Sequence, residues 1–255
     1  MNIKDLNKEI KECKKCKLSE SRINALPGEG NLNATIILIA QAPGKEEDKE
    51  GKMFIGPTGR VLDELFKEID LDRDEIYMTN LIKCMLPKYR KPKQDEIDIC
   101  THYLDKEIEI INPDTLVPFG YCVTRHIFKK YNLPAPKSRA EFKELYGRLF
   151  LTREKKILPL KHPTSLLFDD SIRDETIETY RKIKTLSEDC KWYQECPMKI
   201  FYKKGTLDRK WIKLYCKGDW LSCVRYALEE SGEPHPDWML PDGSLDEKLC
   251  NYTGI

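Results

Sequence analysis

Apolar segments of strand length alternate with amphipathic helices, and this pattern predicts an α/β fold with a central parallel sheet. With 255 residues, 40% of them apolar, the chain has enough material for one large domain or two small ones. The composition changes near residue 187, since all four tryptophans and half of the ten cysteines follow it. We therefore expect a three-layer α/β/α domain over residues 1–187 and a small cysteine- and tryptophan-rich module over residues 188–255.

Four strands are predicted from short apolar runs that end in polar or turn residues. The first, Thr35–Ala40, leads into Gln41 and a Pro43-Gly44 turn. The other three are Ile76–Asn80, Thr115–Gly120 and Ile157–Lys161. Strands that are apolar throughout are typical of parallel sheets, in which helices cover both faces.

Helices are predicted between and after these strands. In Gly59–Asp70 the apolar residues Leu62, Leu65, Phe66 and Ile69 recur at helical spacing. The other predicted helices are Asp95–Ile110, a helix that ends near Tyr131, and Arg173–Ser187.

Polar or small residues lie at the carboxyl end of each predicted strand, namely Gln41, Asn80, Gly120 and His162. Ligands of open parallel sheets bind at these ends. The sequence therefore predicts a functional site there, with the alternative that the strands simply run into polar loops.

The N-terminal sequence and the length of the apolar runs argue against a secreted or membrane-spanning protein. The N-terminus is charged and lacks the apolar core of a signal peptide. Apolar runs reach about six residues, far short of the roughly 20 that a membrane span needs. We expect a soluble, cytoplasmic protein, and the bias towards Lys, Glu and Ile suggests a thermophile.

Ten cysteines in an intracellular chain favour metal binding over disulfides, although hyperthermophiles do form intracellular disulfides. Cys13 and Cys16 form a close pair, and Cys84 and Cys100 are single residues far along the chain. Iron–sulfur clusters accept such loose spacing, whereas structural zinc more often uses two close pairs. We expect a cluster on these four, with zinc or plain buried cysteines as alternatives.

A second group of cysteines, Cys190, Cys196, Cys216 and Cys223, falls in a segment too short for a large core. Segments of this size usually need a metal or a disulfide for stability. We predict a second metal site here, holding an iron–sulfur cluster or zinc. Cys250 could replace one ligand, and Cys122 is interpreted as a core residue.

Two loops predict contact with nucleic acid. The segment "KCMLPKYRKPK" has basic residues and no acidic ones, as phosphate contacts require, and the alternative is a solvated loop. Its basic residues are Lys83, Lys88, Arg90, Lys91 and Lys93. The segment "LKHPTSLLFDD" places Leu166 beyond His162, where an apolar wedge could enter a base stack; the alternative is core packing.

The stretches "AQAPGKEEDKEGKMFIGPTGRVLDELF", "TNLIKCMLPKYRKPKQDEIDIC" and "HPTSLL" resemble the family 4, iron–sulfur uracil-DNA glycosylases. The resemblance covers roughly residues 8 to 185. It implies the three-layer glycosylase fold, hydrolysis of the N-glycosidic bond of uracil in DNA, and a structural 4Fe–4S cluster on the first four cysteines. It also implies that Phe54 stacks on uracil, Asn80 binds its Watson–Crick edge, and His162 stabilises the departing base.

One position departs from the family. Where the family usually has Gly-Glu-Ala/Gly-Pro-Gly, this chain has Ala-Gln-Ala-Pro-Gly at residues 40–44. An amide, Gln41, therefore occupies the position of the family's carboxylate. We expect Gln41 to position water, Asp48 to be the nearby acidic residue of the family motif, and Ala42 and Gly44 to approach the substrate.

The leading hypothesis is a monofunctional, monomeric uracil-DNA glycosylase that acts on single- or double-stranded DNA in base-excision repair. Two alternatives remain open. The first is an enzyme of this fold that acts on another base or on RNA, since Gln41 alters the pocket. The second is a nucleic-acid-binding protein without activity, which uses the C-terminal module as its contact surface.

Overall fold

A computed structural model describes residues 2–250. Its sheet has the strand order β1-β3-β2-β4-β6-β5. The strands are β1 Glu29–Gly30, β2 Ile36–Ala40, β3 Tyr77–Asn80, β4 Thr115–Pro118, β5 Phe150–Leu151 and β6 Lys156–Ile157. The four inner strands are parallel, and the edge strands β1 and β5 pair antiparallel with their neighbours. The predicted α/β class with a central parallel sheet is confirmed, and the sequence did not predict the two short edge strands.

All five residues of β2 and all four of β3 and β4 are buried. Burial on alternating sides of each strand means that both faces of the sheet are covered, as in three-layer folds. Strand β6 ends at Ile157, but pairing of the fourth predicted strand with β4 continues beyond that residue. Leu158 N–H donates to Leu116 O at 3.0 Å, Leu160 N–H donates to Pro118 O at 3.1 Å, and Leu160 O accepts from Gly120 N–H at 2.8 Å.

The helices of this part of the chain agree with the prediction to within about two residues, and three shorter ones were not predicted. They are α1 Ile3–Glu12, α2 Lys45–Glu50, α3 Pro57–Glu68, α4 Gln94–Ile111, α5 Gly120–Lys130, α6 Arg139–Lys143 and α7 Arg173–Ser187. Helix α1 is amphipathic, buries Leu6 and Ile10, and packs against α4.

The chain forms two compact units, Met1–Tyr180 and Arg181–Ile255. They divide within α7, and the boundary expected from composition lies at the end of that helix. The second unit contains α8 Pro197–Lys203, α9 Arg209–Trp211, α10 Val224–Ser231 and α11 Glu247–Cys250. A π-helical turn, Ile212–Cys216, follows α9. No helix within residues 2–250 combines the length and apolar character needed to span a membrane.

A buried ion pair joins α4 to the end of β3. Lys83 is 1% exposed, and its Nζ lies 2.5 Å from Glu107 Oε2. The Thr79 hydroxyl donates to the same carboxylate at 2.7 Å, and Gly28 N–H donates to its other oxygen at 2.8 Å. The prediction that Lys83 contacts DNA is therefore wrong, because its ammonium is enclosed in the core and neutralised there.

Replacing Glu107 with Ala should lower the free energy of unfolding by about 3–5 kcal/mol, because the Lys83 ammonium would remain buried without its partner. The exposed Glu109 on the same helix provides a matched control, and Glu109→Ala should change stability by no more than about 0.5 kcal/mol. Chemical denaturation of both variants measures the difference. Similar midpoints for the two would show that the ion pair contributes no net stability.

Candidate active site at the carboxyl ends of the strands

A cavity of about 380 Å³ opens where the parallel strands end. Gln41 follows β2, Asn80 ends β3, and Gly120 follows β4. His162 comes two residues after the Leu160 bridge to Phe119. All four predicted strand-end residues line this cavity, and so do Ala42, Gly44 and Phe54. The structure thus brings residues from six segments of the sequence to one edge of the sheet.

The backbone at Phe54 is held in an unusual conformation, with φ at 51° in the left-handed region. Arg73 stabilises it, since Nη2 donates to Phe54 O at 2.8 Å. Gly59 passes so close that a Cβ there would lie 1.7 Å from Phe54 O. Left-handed backbone costs a non-glycine residue about 1–3 kcal/mol and persists where the surroundings enforce it. The Phe54 ring is therefore fixed at the wall of the cavity.

The amide of Asn80 is almost fully enclosed, at 2% exposure. Its Nδ2 donates to the thioether sulfur of Met53 at 3.2 Å. Sulfur is a weak acceptor, so this hydrogen bond orients the amide but is easily exchanged for a bond to a stronger acceptor. A ligand oxygen can displace it.

His162 is positioned as a neutral hydrogen-bond donor. Its Nδ1 accepts from Thr164 N–H at 3.3 Å and is also in short contact with the Thr164 hydroxyl. Because Nδ1 accepts, the neutral ring carries its proton on Nε2. Burial lowers the pKa of His162 to about 4, so the ring is uncharged near neutral pH.

The structure separates two adjacent carboxylates. Asp48 does not line the cavity; it is 2% exposed, and its oxygens accept from the N–H groups of Ile23 and Asn24 at 3.1–3.2 Å. Glu47 lines the cavity instead, and its Oε1 accepts from Gly56 N–H at 2.8 Å. Among the described residues that line the cavity, Glu47 is the sole carboxylate. Asp48, which the sequence favoured, therefore lies outside the cavity, and its neighbour Glu47 lies within the lining.

Phe119 is a wall residue that the sequence analysis did not identify. It is 1% exposed and contacts Phe54 edge-on at 6.5 Å between ring centroids, His162 at 6.1 Å, and Tyr180 in a stacked arrangement at 5.7 Å. Its position just after β4 could have indicated this role, since residues at the ends of the other strands line the cavity. The Tyr180 hydroxyl also donates to Lys161 O at 2.8 Å and so positions the segment before His162.

The basic loop, residues 83–93, contributes fewer exposed cations than predicted. Lys88, Lys91 and Lys93 are exposed, whereas Arg90 lines the cavity and pairs with the buried Glu96. The sequence missed a larger basic groove of about 780 Å³ that shares Gln41 and His162 with the first cavity. Among the described residues, six cations and no carboxylate line it, and the cations are Lys91, Arg125, Lys129, Arg139, Lys143 and Lys161. They are spread over α5, α6 and two loops, so no local run reveals them.

The predicted wedge residue is in the wrong place. Leu166 is 6% exposed and belongs to the core, because the turn Pro163–Leu167 directs it inwards. Its neighbours Leu167 and Phe168 are 46% and 86% exposed. The apolar tip of this loop is therefore Phe168.

Comparison with known proteins identifies the family. A sequence profile of the uracil-DNA glycosylase superfamily matches residues 27–184. A type-4 uracil-DNA glycosylase of Sulfurisphaera tokodaii is 36% identical over 217 residues, which cover 83% of this chain and 94% of the relative. The chain belongs to the type-4 uracil-DNA glycosylases. That of Saccharolobus solfataricus is 41% identical over 182 residues, with 69% of this chain and 82% of the relative covered. The predicted family and enzyme class are confirmed.

The first four cysteines of this glycosylase lie near one another. Arg22 Nη1 donates to Cys84 Sγ at 2.9 Å, and Lys83 N–H donates to Cys100 Sγ at 3.2 Å. Burial raises the pKa of the Cys84 and Cys100 thiols, and charge on Cys13 would raise it further in both. Within residues 2–250 no three Cys, His, Asp or Glu side chains are drawn together at the spacing of a single bound ion.

The low pKa of His162 leads to a prediction about pH dependence. Its pKa near 4 lies below the ordinary value of 6.5, so the donor at Nε2 stays neutral from pH 8 to pH 5. Single-turnover rates should therefore show no titration near pH 6.5. The same shift makes neutral His162 stabilising above pH 6.5, and this contribution is lost as the pH falls towards 4. An NMR titration of the ring with a midpoint near 6.5 would contradict this assignment.

Proposed function

We propose that the cavity between Phe54, Asn80 and His162 receives a uracil extruded from DNA, and that its N-glycosidic bond is hydrolysed there. The observation that carries the proposal is the tautomer of His162, which presents a neutral N–H donor in a cavity that also contains a buried amide. Neutral donors suit a neutral base that becomes anionic as it departs.

Base selection would fall to Asn80. An amide presents an oxygen acceptor and an N–H donor, which match the N3–H and O4 of uracil. Cytosine presents an acceptor and an amino group at the same positions, so both contacts would fail. Leaving a buried polar group unpaired costs about 1–3 kcal/mol, which provides discrimination against cytosine. The Phe54 ring, fixed by its strained backbone, would stack on the base.

Bond cleavage builds positive charge on the deoxyribose and negative charge on the base. The Nε2–H of His162 would donate to a carbonyl oxygen of uracil as this charge develops. The aromatic contacts of His162 with Phe119, and the hydrogen bond from Thr164 to Nδ1, hold the ring without supplying a competing charge. The donor is therefore preorganised before the substrate arrives.

Water activation would be shared by two side chains. Gln41 has a carbonyl oxygen that can orient a water but cannot accept its proton. Glu47 lines the same cavity, and with Oε1 engaged by Gly56 N–H its Oε2 is the atom that can accept a proton. Glu47 thus takes the role that the sequence had given to Asp48. The amide at Gln41 is also compatible with an activity of the same fold on another base or on RNA, and excision assays on those substrates distinguish the alternatives.

The DNA strand would follow the basic groove. Its six cations adjoin the cavity, and Lys88 and Lys93 extend the positive surface along the loop that ends β3. Each neutralised phosphate releases counterions, so binding would weaken steeply with salt. The proposed substrate is single- or double-stranded DNA, and the protein would act as a monomer.

The cysteine set Cys13, Cys16, Cys84 and Cys100 fits a 4Fe–4S cluster by its donor chemistry, four thiols with an arginine and a backbone N–H directed at two sulfurs. The cluster, when bound, would supply structural cross-linking. The chain's own residues then do the rest: Arg22 also donates to the carbonyl oxygens of Lys11 and Cys13, which ties the N-terminal segment to the start of the basic loop at Cys84.

The test is single-turnover excision from uracil-containing oligonucleotides, with alkali used to reveal abasic sites. His162→Ala and Asn80→Ala should each slow excision about 10²–10³-fold, as the loss of an oxyanion donor does. Glu47→Gln should slow it about 10²–10⁴-fold if the carboxylate is the general base. Full activity in the Glu47 variant would remove it from the mechanism, and indifference to both His162 and Asn80 would overturn the proposed site. Faster excision of another base, or of uracil from RNA, would favour the alternative substrates.

The exposed loop tip predicts a strand preference. Phe168→Ala should reduce excision from double-stranded DNA more than from single-stranded DNA, because only the duplex needs a base pair to be opened and unstacked. The exposed Leu167 provides the matched control on the same loop. Measuring both substrates for both variants decides the point, and equal losses on the two substrates would show that Phe168 does not act as a wedge.

A further inference from the structure

The second unit contains four cysteines that the excision reaction does not use. Cys190, Cys196, Cys216 and Cys223 line one cavity of about 340 Å³, and none of them forms a disulfide. Each lies at the end of a short helical element or just before one. Cys190 N–H donates to Cys216 O at 2.8 Å, which ties the first cysteine to the third. The tertiary structure thus gathers four thiols around one space.

The sulfur atoms of two of these cysteines face backbone donors. Backbone N–H groups of Trp192 and Tyr193 are directed at the sulfur of Cys190, which precedes their helical turn. Those of Arg225 and Tyr226, in the first turn of α10, are directed at the sulfur of Cys223. N–H groups directed at sulfur are the outer contacts that stabilise thiolate ligands of metals and clusters.

Two side chains at the cavity have hydrogen-bond donors that lack acceptors. Arg225 is 3% exposed, and its Nη1 donates to the carbonyl oxygens of Pro236, Asp237 and Met239 at 3.0–3.1 Å. Within residues 2–250, its Nε has no acceptor, and neither does the buried Nε1 of Trp220. Both residues line the cavity. An unsatisfied buried donor costs about 1–3 kcal/mol, so an acceptor of negative charge fits this space.

The size of the cavity distinguishes the candidate occupants. A single zinc ion holds each thiolate at about 2.3 Å, which brings the four sulfurs within roughly 4 Å of one another. Here the four cysteines are among the residues that line a cavity of about 340 Å³, and within residues 2–250 no three Cys, His, Asp or Glu side chains lie at the spacing of a single bound ion. An iron–sulfur cluster places iron and sulfide atoms between its ligands, and its sulfides accept hydrogen bonds.

The unit also needs such a cross-link. Among the described residues, the main hydrophobic cluster of this unit has eight buried members, and one of them is Cys216 itself. A cluster of this size contributes little stability to a unit this small. Metal binding to four thiols would release their protons and supply folding free energy directly.

We propose that Cys190, Cys196, Cys216 and Cys223 hold an iron–sulfur cluster, with Arg225 and Trp220 as hydrogen-bond donors to it. The cluster would be the structural centre of the second unit. This inference is independent of uracil excision, which is assigned to residues of the first unit.

The experiment uses the full chain, isolated and reconstituted without oxygen from ferrous iron and inorganic sulfide, with iron, sulfide and zinc counted per chain. Two 4Fe–4S clusters would give about eight iron and eight sulfide per chain. Cys216→Ser should lose about half of the iron and half of the visible absorption. The exposed Cys250 provides the control, and Cys250→Ser should lose neither. Retained uracil excision in both variants shows that the first unit is folded.

A second measurement does not depend on a variant. Alkylation of the wild-type protein in native buffer, mapped by mass spectrometry, should label the four cysteines after iron is removed by a chelator and leave them unlabelled before. Equal labelling before and after would overturn the proposal. The proposal would also be overturned if the wild-type chain bound about four iron atoms and Cys216→Ser left that number unchanged. Stoichiometric zinc that is lost in Cys216→Ser would overturn it as well.

Discussion

The carboxylate of Glu107 is the constraint on which the active-site edge of the sheet depends. It lies in the middle of α4, is fully buried, and binds Gly28 N–H, the Thr79 hydroxyl and the Lys83 ammonium. One side chain thereby connects the segment before β1, strand β3 and the loop after β3. A buried carboxylate is tolerated only when all its partners are present, so these segments are fixed together. Asn80 lies between Thr79 and Lys83 in the chain, so the contacts of these two residues with Glu107 also hold it in place.

Charge is divided between the cavity and its surroundings. Inside, the imidazole of His162 and the amide of Asn80 are neutral donors, because burial lowers the pKa of His162 far below neutrality. Outside, six cations line the adjoining groove. Neutral donors can respond to charge that develops only during bond cleavage, whereas cations attract the phosphate backbone from a distance. The one arginine among the described residues that line the cavity, Arg90, is paired with Glu96, so the proposed site would receive an uncharged base without an unpaired positive charge beside it.

Both units organise four cysteines beside a buried or half-buried arginine. In the first unit Arg22 donates to Cys84, and in the second Arg225 lines the cavity around the four thiols. The match to the Sulfurisphaera tokodaii relative covers 83% of the chain, which is more than the first unit alone provides, so it extends into the second. An arginine cannot lose its charge in a protein, which makes it a suitable permanent counterion for thiolate-held centres.

The sequence by itself determined the sheet and the edge at which the site forms. Apolar runs fixed the strands, and because parallel strands end on one edge, Gln41, Asn80 and His162 had to meet. Only the tertiary structure decided which of Glu47 and Asp48 faces the cavity, since consecutive helical residues point about 100° apart and the orientation of α2 is set by packing. It also decided that Lys83 and Leu166 are buried. The partner that encloses Lys83 is Glu107, on another element, and no local pattern in the sequence reveals such a contact.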